Sequence, residues 1–230
     1  MPGLRPPRVH GTGLCNKARP GTIHHRTTHD AGAEMILQAT NLVIEMPAWL
    51  AHHAAAHALL PDDAQRMRFV IDAARRNVAA GSGGPFAAAV FERDSGRLVA
   101  LGVNLVTSAG LAVMHAEICA LSLAERALGG YDLGAPGRPA HELVTSAEPC
   151  AMCLGAIPWS GVRRVVCGAT DADVRAIGFD EGDKRDDWRA RLEARGVTVV
   201  TGVERATAVT VLRDYAARGG TIYNGRGVSG

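Results

Sequence analysis

The chain has to bring two short segments to one point: His115-Ala116-Glu117 and, further along, Pro149-Cys150-Ala151-Met152-Cys153. One imidazole and two thiols are a donor set for an open zinc site, because catalytic zinc takes three protein ligands and leaves the fourth tetrahedral corner to water. Any fold available to this sequence must therefore place His115, Cys150 and Cys153 in one coordination sphere. Cys150 and Cys153 lie three apart at the start of a predicted helix, on one face and near the positive end of the helix dipole. That position favours thiolate, the form that binds metal. Pro149 suits it, since the missing N–H of proline costs nothing where a helix opens. Glu117 is not a ligand in this pattern. It stands two residues from His115, a spacing that does not share a helical face, so periodicity alone does not bring it to the metal.

Cys119 stands one helical turn after His115 and offers a competing arrangement, a closed His-Cys₃ site that would hold the fold and catalyse nothing. The preferred reading directs the first turn of the helix at the metal and leaves Cys119 behind it as a buried small residue. Cys167 falls on a predicted strand and reads as core, and His141, at a loop-to-strand junction, reads as surface. The fifth cysteine is Cys15. An odd count with one tight C-x-x-C motif indicates reduced thiols holding metal in a reducing compartment, with the cytoplasm as the expected location.

With 230 residues, 47% of them hydrophobic, the sequence can bury one full core. The net charge of +2 comes from 25 basic and 23 acidic residues without a long single-sign block. A duplex-binding stripe is therefore not expected, and a small soluble substrate fits better. No apolar run reaches the roughly 18 to 20 residues that span a bilayer, and the alanine-rich stretch from 51 to 60 is broken by His52, His53 and His57.

Residues 1–34 carry prolines, glycines and five basic residues against Asp30 and Glu34, and read as a disordered basic arm. Met35 is a possible second start, and His24, His25 and His29 read as incidental. Residues 35–60 form an N-terminal extension, 61–218 a catalytic domain, and 219–230 a tail. Within the domain, Pro61-Asp62-Asp63 opens a helix with Met67, Val70, Ile71, Ala74 and Val78 on one face, ended by Gly81-Ser82-Gly83-Gly84. A hairpin follows, with strands at 86–92 and 98–106 and a turn at Asp94-Ser95-Gly96. Beyond it the pattern alternates: helix 115–128, strand 142–146, helix from Cys150, strand 164–168, helix 171–177, strand 197–203, helix 206–217. Strands alternating with helices predict an α/β fold, a three-layer α/β/α sandwich on a mixed sheet of about five strands.

From about Pro61 to Gly225 the chain resembles the cytidine-deaminase superfamily, whose zinc enzymes share the H-x-E…P-C-x-x-C pattern, and within it the bacterial guanine deaminases, including the branch that accepts the triazine ammeline. The segments carrying the resemblance are Gly83-Gly84-Pro85-Phe86, Asn104, the His-Ala-Glu motif, Thr145-Ser146-Ala147-Glu148-Pro149-Cys150, Trp159, Gly178-Phe179-Asp180-Glu181 and Thr221-Ile222-Tyr223-Asn224-Gly225.

The resemblance implies a cytidine-deaminase-like fold, a Zn²⁺ cofactor held by His115, Cys150 and Cys153, and Glu117 and Glu181 as catalytic carboxylates. It further implies a substrate pocket built from Phe86, Asn104, Ala116, Trp159, Phe179 and Tyr223, with Phe86 stacking on the base and Asn104 bonding its ring edge. The tail becomes a lid over the pocket, and the molecule a homodimer. The implied reaction is hydrolytic deamination of guanine to xanthine and ammonia. Alternatives are ammeline and other s-triazines or their nucleosides, guanosine, free cytosine or cytidine, a tRNA adenosine, or a non-catalytic zinc-containing scaffold. A guanine site has a reason to contain a second carboxylate, since the N1–H and 2-amino donors both need an acceptor.

Overall fold

A computed structural model describes residues 38–225. The readings of residues 1–34, Cys15, Met35 and the three early histidines lie outside them. Residues 38–42 carry neither helix nor strand, and the elements follow from residue 43 on. They are α1 (Ala48–Ala55), α2 (Asp63–Ala79), β1 (Ala87–Glu92), β2 (Leu98–Val103), α3 (Val106–Ala109), α4 (Ala116–Leu128), β3 (His141–Ala147), α5 (Ala151–Ser160), β4 (Arg164–Ala169), α6 (Asp171–Arg175), α7 (Trp188–Glu193), β5 (Thr198–Val200) and α8 (Arg205–Ala217).

The five strands form one mixed sheet in the order β2-β1-β3-β4-β5. β1 is antiparallel to β2 and to β3, whereas β3, β4 and β5 run parallel. Successive side chains of a strand point to opposite faces, so a sheet covered on both sides needs apolar residues at every position. The sequence supplies them: Ala87, Ala89 and Phe91 join the core beneath α1, α2 and α8, while Ala88 and Val90 join the one beneath α4, α5 and α7. Val166 and its neighbours Val165 and Cys167 divide in the same way. The three-layer sandwich on a five-stranded mixed sheet is as expected.

Asp62 caps α2, its side chain accepting from the Gln65 N–H at 2.8 Å. In the hairpin turn, Gly96 takes φ +72°, and a Cβ there would fall 2.2 Å from the Leu60 carbonyl, so only glycine lets the turn lie against the approach to α2. Three readings change. His141 is not on the surface but 1% exposed, its Nδ1 donating to the Leu133 carbonyl at 2.8 Å, because the Gly- and Pro-rich loop before β3 folds back over it. The final strand spans only Thr198–Val200, and the strand after the hairpin turn ends at Val103, since Leu105 and Asn104 turn into α3. α1, α3 and α7 were not foreseen as helices.

Candidate metal and base site

His115 and Cys150 are the N-caps of α4 and α5, both with extended backbone. β3 delivers the second of these through Glu148-Pro149, and β1 and β2 lie alongside α4, so two helix N-termini converge beyond the strand ends. The donor atoms of His115, Cys150 and Cys153 all lie within 4.8 Å of one another, with His115 Nδ1 3.4 Å from Cys150 Sγ. A hydrogen bond from Cys153 and one with His115 outweigh burial and lower the Cys150 thiol, which favours the thiolate form. Sharing that bond, together with burial, pushes Cys153 upward. One nitrogen and two sulfurs poised at this separation are a donor set suited to zinc.

Cys119 is not part of this cluster. It is 3% exposed in the core one turn behind His115, and burial pushes its thiol up to about 12. The closed four-ligand arrangement is thus not what the described residues form. Cys167 is fully buried in the sheet, as read.

Glu117 is 7% exposed and turned toward the same pocket, its pKa raised chiefly by burial and further by Cys150. Two residues apart on a helix would not share a face, but His115 precedes the first turn and has φ −70°, ψ 157°, so the helical period does not govern the pair. Glu181, 7% exposed, faces the pocket from the loop after α6; burial, then Cys150 and Glu117, push it up to about 8. Its backbone carbonyl accepts from the Ala151 N–H at 2.9 Å, tying this loop to the start of α5.

Phe86, Asn104, Phe179 and Tyr223 complete the walls together with Ala147, Glu148 and Asp180. Phe179 packs edge-to-face with Phe86 at 5.1 Å and with Tyr223 at 5.0 Å between ring centroids. Asn104 is 1% exposed, and its Oδ1 accepts from the Val106 N–H at 3.2 Å, which leaves the amide nitrogen for other partners. Tyr223 reaches the pocket because the tail is anchored on both sides of it: Tyr215 donates its hydroxyl to the Thr221 carbonyl at 2.7 Å, and the Asn224 side chain spans the Gly178 carbonyl and the Asp180 N–H. The Tyr223 hydroxyl is buried without a partner. Ala116 is fully buried between His115 and Glu117 and packs in the core beneath α4.

Trp159 does not line this pocket. It is 85% exposed and lines a separate hollow between α5 and α7 with Leu154, Pro158 and Trp188. The buried face of α5 is set by Cys153, Ile157 and Ser160, and two residues beyond Ile157 a side chain has turned by about 200° to the opposite side.

Glu148 belongs to the motif before Cys150 in the sequence, and in the structure it is a hub. Its buried carboxylate accepts from Arg189 at 2.7 Å, from Lys184 at 3.4 Å and from the Asp171 N–H at 3.1 Å. Lys184 is itself buried, 4% exposed at the side chain, with its ammonium 4.8 Å over the Trp188 ring. No local sequence signal marks these pairs, since the partners lie 23 to 41 residues away.

Comparison with known proteins gives four findings. The family described as the cytidine and deoxycytidylate deaminase zinc-binding region matches residues 60–169. A guanine deaminase of Bacillus subtilis is 37% identical over 115 residues, half of this chain and 69% of that protein. Among solved structures, a guanine deaminase from Nitrosomonas europaea is 51% identical with a TM-score of 0.76, covering 79% of this chain and 99% of the other. A structure of NE0047 in complex with 2,6-diaminopurine is 53% identical with a TM-score of 0.75 and covers 79% of this chain and 96% of the other.

Proposed function

The chain belongs to the zinc-binding cytidine and deoxycytidylate deaminase family, and on that footing we propose that it hydrolyses guanine to xanthine and ammonia. The observation that carries this reading is the meeting, in one pocket, of a His-Cys-Cys donor set with two separate buried carboxylates, Glu117 and Glu181. When bound by His115, Cys150 and Cys153, zinc supplies Lewis acidity that makes water nucleophilic at neutral pH.

The chain's own residues do the rest. Glu117, held beside the donor set, takes a proton from water and delivers it to N3 of the purine as oxygen bonds to C2. Glu181 faces the N1–H and 2-amino edge and helps to hold and expel the amine, while the proton that Glu117 takes from the new C2 hydroxyl is handed to the amino nitrogen as the C2–N bond breaks and ammonia leaves. Phe86 stacks on the base, and Phe179 and Tyr223 close the remaining apolar walls. Asn104 presents its free amide nitrogen to a ring acceptor, because its oxygen is already engaged by Val106. Closure by the tail excludes water and strengthens these polar contacts.

The protein works as a homodimer in the cytoplasm. The support for the first is the exposed apolar side of α5, where Trp159 and Met152 stand out to solvent; for the second, it is four buried free thiols with no disulfide among the described residues. No helix of the described residues is long and apolar enough to cross a membrane.

Ammonia release from the zinc-loaded protein, measured across guanine, guanosine, ammeline, adenine, cytosine and triazine nucleosides, tests the assignment. Guanine is expected to react fastest. No release from guanine where another base reacts would transfer the activity to that base.

A further inference from the structure

We propose that Asn77 is a positioning residue for base recognition: it sets where Asn104 meets the base without touching the base itself. The inference rests on the nucleobase reading above. Asn77 sits on α2 and is 0% exposed. Its Nδ2 donates to the Asn104 carbonyl at 2.8 Å and to the Gly84 carbonyl at 2.9 Å, so both amide protons are used. Its Oδ1 accepts from the Ser82 hydroxyl at 2.8 Å, and that hydroxyl oxygen accepts in turn from the Trp49 indole at 3.4 Å. The orientation of the amide is thereby fixed, with donors facing the two carbonyls and the acceptor facing Ser82.

The two braced carbonyls belong to the segments entering β1 and leaving β2, and the gap between those segments is as small as chain chemistry permits. A Cβ on Gly83 would fall 1.8 Å from the Asn104 carbonyl oxygen, and the Asn104 N–H donates to the Phe86 carbonyl at 3.0 Å. A shift of the Asn104 backbone is therefore passed directly to its side chain, whose oxygen is held by Val106 and whose nitrogen is left for a ligand. Aspartate at position 77 would aim acceptors at two carbonyl oxygens with no proton between them, at the same size and shape.

A double-mutant cycle on the dissociation constant of 8-azaguanine, measured by calorimetry on the zinc-loaded full-length protein, tests this. Asn77→Asp should weaken binding by about 5- to 150-fold, the scale of leaving a buried polar group without its hydrogen-bond partner, with zinc content unchanged. In an Asn104→Ala background the same change should cost less than about 3-fold, because the residue it acts through is gone. A merely structural role would give the full penalty in both backgrounds, and either that result or an unchanged constant in the single variant overturns the proposal. Should Asn77→Asp fail to fold, Ser82→Ala runs the same cycle, with a loss of about 3- to 10-fold expected for one hydrogen bond that disappears with Asn104→Ala and is restored by Ser82→Thr; additivity again overturns it. A parent protein that does not bind 8-azaguanine would contradict the guanine reading instead, and the cycle then uses whichever base releases ammonia.

Discussion

Glu117 is a carboxylate taken almost wholly out of water and set beside three metal donors, an expensive placement unless its proton affinity is used. Replacing it with glutamine keeps the shape and removes the base. Glu117→Gln should lower kcat by roughly 10²- to 10⁴-fold, the usual contribution of a positioned acid–base group, while metal analysis finds zinc retained; undiminished ammonia release would remove Glu117 from the chemistry. Phe86 is half-buried against Phe179, and stacking of a base on an aromatic ring is worth about 1–3 kcal/mol. Phe86→Ala should therefore raise KM by roughly 5- to 150-fold with zinc content intact, whereas parallel loss of zinc and binding would assign the ring to the core. Residue types were readable in the sequence where chemistry is rare, as with one histidine and two cysteines at fixed spacing. Side-chain direction was less so. The pairing of His115 with Glu117 depends on the first being a cap and not a helical residue, and the outward turn of Trp159 depends on which side of α5 is buried.

The start of β3 shows how an element is held in place to serve the site at its other end. Glu142 is fully buried, bonded to Arg66 of α2 at 2.5 Å and to Arg164 of β4 at 2.7 Å, and Arg164 also holds Asp63 at the first turn of α2. Arg66 is 3% exposed, so removing its partner leaves a charge without compensation in the interior. Glu142→Ala should destabilise the fold by about 3–5 kcal/mol, measured by urea unfolding, and a loss below about 1 kcal/mol would mean the network is surface-like. The tail acts at the same scale. It is anchored at Tyr215, Gly178 and Asp180, and Tyr223 walls the pocket. Truncation after Gly220 should cut kcat/KM sharply, by about 10²-fold or more for a lid that excludes water; unaltered kinetics would reject the lid. Helices with a long apolar period, α2, α4 and α8, were legible. α1, α3 and α7 span 8, 4 and 6 residues, too short for periodicity to separate from loop, and are fixed by tertiary contacts such as the stack of His53 on Phe69.

For the molecule as a whole, the question is whether zinc makes the fold or only finishes it. The donors come from two helices, α4 and α5, so the ion would join parts of the structure that are distant in sequence, as it does in small domains that unfold without metal. Here, however, the sheet carries a full apolar core on each face, and α4 and α5 are already packed over it through Ala120, Leu121, Ala124 and Ile157, all nearly or wholly buried. A chain with that much burial independent of the metal should survive its loss. Chelation is expected to leave far-ultraviolet circular dichroism intact and abolish ammonia release. It should lower the melting temperature by about 8–16 °C, since a ligand present at 1,000 times its dissociation constant contributes about 4 kcal/mol and a domain of this size loses roughly 2–4 °C per kcal/mol. Collapse of the dichroism signal on chelation would mean that the two cores depend on the ion to form, and the site would then be a structural staple as much as a reactive centre.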